Sequence, residues 1–287
     1  MNDMILILNY SDEFAVEAAK RLRGERVFCK IISGMTTAEQ VAEIAPRGLV
    51  LCGEPKSAAG VFDAEILKLD IPVLALGHAA HMLIAAMGGA CAGAAISEKK
   101  ANVQYAECKL FNGVEGGERY IQEAVTLMLP ADVRVTAGAG GCTVAFEDSK
   151  RSLFGVQFEL ERNDPDGSTI LKNFARDICG CTPWFTMDAA LAEARRALTE
   201  ASIEGGFPVC GVSGGVDSMV AAVLAHQAFG ERMTAIYVET GLMRAGEGDA
   251  VRAIYEQLGI PLRVIDRAED VLASLRGRQT MGEKRAV

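Results

Sequence analysis

Val209-Cys210-Gly211-Val212-Ser213-Gly214-Gly215-Val216-Asp217-Ser218 runs from an apolar stretch, through two adjacent glycines, into a second apolar stretch, Met219–Phe229. The first stretch reads as strand Val209–Val212 and the second as a helix, which makes Ser213–Ser218 a strand-to-helix loop. Adjacent glycines let the backbone turn tightly and bring N–H groups against an anion. The positive end of the helix lies behind them, where a phosphate is attracted. Ser213 and Ser218 add hydroxyl donors. Asp217 sets a carboxylate beside the phosphates, an arrangement that calls for a cation such as Mg²⁺ between them. The plain alternative is a turn capped by Ser or Asp. The full six-residue string in this strand–loop–helix context favours phosphate. No Gly-Lys-Ser/Thr follows, so the loop is not a Walker A loop.

Outward from the loop the pattern continues as β-α-β-α. Strand Thr234–Val238, helix Gly248–Leu258, strand Leu262–Ile265 and helix Ala268–Leu275 follow, and a periodic helix Met187–Ala201 precedes. Only three strands are laid down before Val287, fewer than the five or so of a doubly wound domain. Upstream, a first series alternates in the same way. Its members are strand Met4–Leu8, helix Phe14–Leu22, strand Arg26–Ile32, and helix Thr37–Ile44 with Thr37 as N-cap. Strands Gly48–Cys52 and Pro72–Leu76 come next, then helix Ala79–Met87. Between Cys108 and Phe158, short strand-like pieces and Gly-rich turns predict a mixed or antiparallel edge, closed by strand Gly155–Phe158 and helix Thr169–Ile178. The fold class is α/β, with two doubly wound, mostly parallel sheets. The expected domains are residues 1–183 and 184–287.

The 287 residues are half hydrophobic, and two domains suit that length. The net charge of −9 disfavours a general nucleic-acid partner, because an acidic surface repels phosphate backbones. Neither a signal peptide nor an apolar stretch of bilayer-spanning length is read, so a cytoplasmic protein without a membrane partner is expected. Several of the eight cysteines lie in apolar runs and read as reduced, buried thiols. Cys179 and Cys181 form a C-x-C pair, but no second pair or nearby histidine completes four metal ligands.

The string Ser213–Ser218 resembles the pyrophosphate loop of N-type ATP pyrophosphatases. Val238-Glu239-Thr240-Gly241-Leu242-Met243-Arg244, Gly246-Glu247-Gly248 and Gly282-Glu283-Lys284-Arg285 are similar to segments of the GMP synthetase family, as are Asn173–Cys181 and Trp184. The resemblance implies a flavodoxin-like class I glutamine amidotransferase domain followed by an incomplete Rossmann-like adenine nucleotide hydrolase domain. It implies ATP and Mg²⁺ as ligands. Ser213, Gly214, Gly215, Val216, Asp217, Ser218 and Met219 would bind pyrophosphate, Asp217 the metal, and the backbone near Val238 adenine. Glu239 stands where the family carries Asp.

The amidotransferase resemblance also marks a missing site. Its nucleophile elbow, G-x-C-x-G, matches Ala75-Leu76-Gly77-His78-Ala79, so Gly77 stands in place of the cysteine. Its G-V-Q-F-H-P-E matches Gly155-Val156-Gln157-Phe158-Glu159-Leu160-Glu161, so Glu159 replaces the histidine while Glu161 keeps the orienting carboxylate. The glutamine-pocket segment is unrecognisable in Tyr120–Leu127. No glutaminase activity is expected. His78 and His81 share a helix face, either as ligands or a base, or as solvent-facing or capping polar residues; the second suits their lack of a nearby partner in sequence. Cys52 reads as a small buried residue and His226 as a surface residue.

Two functions remain. One is ATP-dependent amination of XMP to GMP with ammonia from outside the chain. The other is a catalytically inactive ATP- or pyrophosphate-binding regulatory fragment that needs a partner. A homo-oligomer or a complementary subunit fits either.

Overall fold

In the first strand, β1 (Asn2–Asn9), Ile5 and Ile7 enter one buried cluster, and Met4, Leu6 and Leu8 enter another. Successive side chains of a strand point to opposite faces, so a strand buried on both reads as an unbroken apolar run. That run, Met4–Leu8, is what marks the strand in the sequence. The computed structural model describes residues 2–10, 12–53, 62–158, 165–244 and 246–285. The chain divides into two compact units, Met1–Thr186 and Met187–Val287.

The first unit is built on a nine-stranded sheet. Its parallel half comprises β1, β2 (Cys29–Ser33), β3 (Pro46–Cys52), β4 (Val73–Leu76) and β9 (Leu153–Val156), in the order β2-β1-β3-β4-β9. Helices α1 (Asp12–Gly24) and α4 (Pro165–Lys172) cover one face, where Ala15, Ala19 and Leu22 meet Ile170 and Leu171. Helices α2 (Ala38–Ile44) and α3 (His78–Ala86) cover the other, through Val41, Ala80, Leu83 and Ile84. Thr37 caps α2 in a capping box, its hydroxyl accepting the Gln40 N–H at 3.3 Å.

The expected antiparallel edge is larger than a rim. β5 (Ala90–Tyr105), β6 (Gly117–Met128), β7 (Arg134–Ala139) and β8 (Cys142–Asp148) extend the sheet as β9-β8-β7-β5-β6. β5 is the element the sequence pattern hides, because Gly93, several alanines and Lys99-Lys100 dilute its alternation. The helix expected over Thr169–Ile178 is two elements: α4 ends at Lys172, and a π turn spans Asn173–Ile178. The buried Asn173 amide there donates to the carbonyls of Leu110 and Asn112, at 3.0 and 2.7 Å.

The second unit carries three parallel strands, β10 (Val209–Val212), β11 (Thr234–Glu239) and β12 (Leu262–Asp266), in that order. Helices α5 (Met187–Ile203), α6 (Val216–Phe229) and α7 (Glu247–Gln257) belong to it. So do α8 (Ala268–Leu275) and α9 (Met281–Arg285). Val212, Ala235 and Tyr237 on one sheet face pack with Ala222 and Phe229 of α6 and with Val251 and Tyr255 of α7. In register on the opposite face lie Val209, Gly211, Thr234, Ile236, Val238, Arg263 and Ile265, none of them buried.

Candidate functional site

β10 delivers the chain into Ser213, and the helix begins earlier than Met219. Gly215 is its N-cap, so Val216, Asp217 and Ser218 form its first turn. Neither loop glycine uses a left-handed backbone; Gly215 lies at φ −82°, ψ 147°. The glycines answer to space instead. A Cβ on Gly214 would stand 3.1 Å from Glu247 Oε1, and one on Gly215 3.3 Å from Ser213 Oγ.

The serine hydroxyls are also differently used than their sequence positions suggest. Ser213 N–H donates to Ser218 Oγ at 3.1 Å, and Gly215 N–H to Ser213 Oγ at 3.2 Å. Ser218 Oγ lies 3.0 Å from the Gly215 carbonyl, to which it donates. The two serines therefore staple the loop as well as lining it. Among the described residues, the amide N–H groups of Val216, Asp217 and Ser218 have no hydrogen-bond partner. Asp217 is exposed beside them. Open donors at a helix start, with one carboxylate alongside, suit a phosphate that carries a divalent cation.

A second wall comes from the β11–α7 connection. Val238 is partly exposed at the end of β11. Glu239 turns back on its own loop, its Oε1 accepting the Gly241 N–H at 3.3 Å. Gly246 caps α7 with φ 78°. Glu247 Oε2 accepts the Arg244 N–H at 3.2 Å while Oε1 faces Gly214. Burial, followed by the nearby carboxylates of Glu239 and Glu247, pushes the Tyr237 hydroxyl pKa up. Gly214, Gly215, Arg244, Gly246, Glu247 and Ala250 line an open cleft of about 630 Å³. The cleft thus joins two of the expected phosphate-loop residues to Arg244 and Glu247, which loop spacing alone had not assigned to the site. Val238 and Asp217 are not in its lining.

The elbow of the first unit keeps its shape without its nucleophile. Gly77 links β4 to α3 at φ 59°, ψ −128°, a conformation that disfavours any side chain. A Cβ there would meet nothing within 4 Å. Beside it lies a cavity of about 30 Å³, room for one water-sized group, lined by Phe14, Glu17, Ala18, Gly53, Leu76, Gly77 and His78. Glu159 and Glu161 lie outside the described residues.

His81 has a partner that sequence distance conceals. Its Nε2 stands 2.7 Å from Gln157 Oε1. The buried Gln157 amide is fixed from both ends: Oε1 accepts the Val125 N–H at 2.9 Å, and Nε2 donates to the Thr143 carbonyl at 2.6 Å. An oxygen so fixed can only accept, so His81 Nε2 carries the proton. The ring of His78 stands edge-on to that of His81, with centroids 5.4 Å apart. His226 is half-buried rather than a surface residue.

Cys52 is fully buried, and burial pushes its thiol up to about 12. Cys179 and Cys181 are buried too, with the Cys181 thiol pushed up to about 12, first by burial and then by Asp3. No metal-binding group of three or more ligands forms among the described residues. Cys91 is exposed, and Cys142 and Cys210 are half-buried, so three thiols depart from the expected burial. No described helix is long and apolar enough to cross a membrane.

A strand, an anion-ready loop and a helix in the second unit, behind a parallel sheet with a nucleophile-type elbow in the first, define an amidotransferase-like unit joined to an ATP-pyrophosphatase-like one. Residues 193–285 match the family model described as NAD synthase. The chain is 33% identical to the glutamine-hydrolysing GMP synthase of Clostridium perfringens, an alignment covering 100% of this chain and 58% of that protein. Identity to the GMP synthase of Carboxydothermus hydrogenoformans is also 33%, with the same coverage of both chains. The chain is thus a homologue of the glutamine-hydrolysing GMP synthases along its whole length, and it spans a little over half the length of those relatives. Among solved structures, one from Thermoplasma acidophilum, described as one component of a two-part GMP synthase, matches with a TM-score of 0.54. That match is 21% identical and covers 61% of this chain and 93% of the other, a likeness of fold.

Proposed function

We propose that this chain contributes the ATP-handling loop of a GMP synthase-type ligase, one that adenylates XMP and lets externally supplied ammonia displace AMP. The observation that carries this is the Ser213–Ser218 loop, with open amides at the start of α6, in a chain homologous to GMP synthases throughout. In this proposal Ser213, Gly214, Gly215, Val216, Ser218 and Met219 cradle the pyrophosphate of ATP, and the backbone near Val238 meets adenine. Asp217 holds Mg²⁺, which when bound neutralises phosphate charge and fixes phosphate orientation. The chain's own work is placement and electrostatic stabilisation. The first unit acts as a scaffold, because Gly77 has no side chain with which to attack glutamine. A complementary polypeptide, or a further copy of this chain, supplies the rest of the XMP and adenine walls, and the assembly works in the cytoplasm.

Asp217→Asn is expected to weaken Mg²⁺-ATP by about tenfold while leaving metal-free pyrophosphate nearly unchanged, since the carboxylate acts through the cation. Calorimetry with both ligands checks this, and equal losses for the two would assign Asp217 a role in shaping the loop instead.

XMP-dependent exchange of labelled pyrophosphate into ATP tests the function itself. Exchange that requires XMP supports the ligase. Binding of ATP without exchange, even with XMP and ammonium present, favours the second function, a nucleotide-sensing protein that does not turn over.

A further inference from the structure

We infer that Arg244 is the cation that grips the pyrophosphate end of a bound nucleotide, and that Glu247 is its positioning residue. This deepens the proposed phosphate site and rests on it. The cleft against Gly214 and Gly215 has two charged residues in its lining, Arg244 and Glu247. Glu247 is spoken for: Oε2 takes the Arg244 backbone N–H, and Oε1 lies against Gly214. One carboxylate therefore ties the β11–α7 connection to the glycine loop and fixes where Arg244 leaves the backbone. The Arg244 side chain is exposed at the cleft and makes no ion pair with any described residue.

An anion seated on the open amides of the first turn of α6 would share this cleft with that guanidinium. The planar fork matches phosphate oxygens two at a time, which a lysine ammonium does not reproduce. Adenine contacts are assigned to the neighbourhood of Val238, which does not line the cleft, so Arg244 should act on the phosphate end and not on the nucleoside.

Titration calorimetry of the full chain with inorganic pyrophosphate, and separately with AMP, tests the inference. Arg244→Ala should lower pyrophosphate affinity about tenfold or more, as loss of a charge-assisted pair does, and leave AMP affinity within about twofold. Arg244→Lys should recover only part of the loss. Arg263→Ala removes the same charge from the sheet face away from the cleft and should change neither ligand appreciably. Glu247→Gln, which keeps the shape but weakens the loop tie, should lower pyrophosphate affinity to an intermediate degree. If the unmodified chain binds pyrophosphate and Arg244→Ala binds it equally well, the role of Arg244 is overturned while the loop assignment stands. If Arg263→Ala loses as much as Arg244→Ala, the effect is general charge and the inference also fails. No binding of pyrophosphate by the unmodified chain overturns the loop assignment and this inference together.

Discussion

Gly215→Val is expected to abolish binding of both Mg²⁺-ATP and pyrophosphate, a loss of roughly a hundredfold or more if two charge-assisted amide contacts are forfeited. The backbone itself can tolerate the change. At φ −82°, ψ 147° a branched residue is in an allowed, extended conformation, and as N-cap of α6 Gly215 contributes no side-chain cap. The obstruction is local. A Cβ at 215 already stands 3.3 Å from Ser213 Oγ, and its two methyl groups would fall where an anion must approach the amides of Val216, Asp217 and Ser218. The fold of the second unit should persist, because Gly215 is exposed and its hydrophobic cluster is formed by other residues. Unchanged far-UV circular dichroism with lost binding is therefore the expected pair of results. Retention of either ligand at the unmodified affinity would reduce the loop to a turn, and the proposed ligase would go with it.

This loop also shows what a sequence carries and what it withholds. Strand, loop and helix were legible because each is local: an apolar run, two glycines, and a second apolar run in order. Thr37 was legible for the same reason, since a capping box spans three residues. The purpose of the glycines was not. Gly214 is small because Glu247, far along the chain, comes to face it, and nothing near 214 encodes that approach. His81 is parallel: its partner Gln157 is 76 residues away, across the sheet. β5 escaped notice because its strand character comes from pairing with β6 and β7, while its own composition is rich in alanine and lysine. The open sheet face of the second unit is a further case. Val209, Ile236 and Val238 have the apolar character of residues buried in a parallel sheet, yet none is buried here. In the first unit both faces are covered, and the same kind of run is buried in full.

The degenerate elbow gives the second large effect, as a gain of reactivity. Gly77→Cys should create the fastest-alkylating thiol in the chain without creating a glutaminase. The position is prepared for a side chain in one respect, because a Cβ there meets nothing within 4 Å. It also heads α3, and a thiol at a helix N-terminus has its pKa lowered. The native thiols lie in the opposite regime. Burial pushes Cys52 up to about 12, and Cys108 reaches about 12 through burial and then through its contact with Glu147. Burial raises Cys91 and Cys142 as well. Since the thiolate is the nucleophile, a thiol near its ordinary pKa of about 8.5 reacts at neutral pH on the order of a thousand times faster than one near 12. Site-resolved mass spectrometry after brief iodoacetamide treatment should find residue 77 modified at least about tenfold faster than Cys91. The substitution should cost about 1–3 kcal/mol of stability, because φ 59° with ψ −128° strains any residue but glycine. Glutamine hydrolysis should stay at background in the same variant. A reactive thiolate could open the reaction, but Glu159 offers no imidazole to pass the proton to the leaving ammonia. Ammonia released from glutamine by Gly77→Cys above the unmodified chain would mean that another base serves the elbow. Slow labelling at residue 77 would mean that the elbow no longer exposes what it carries.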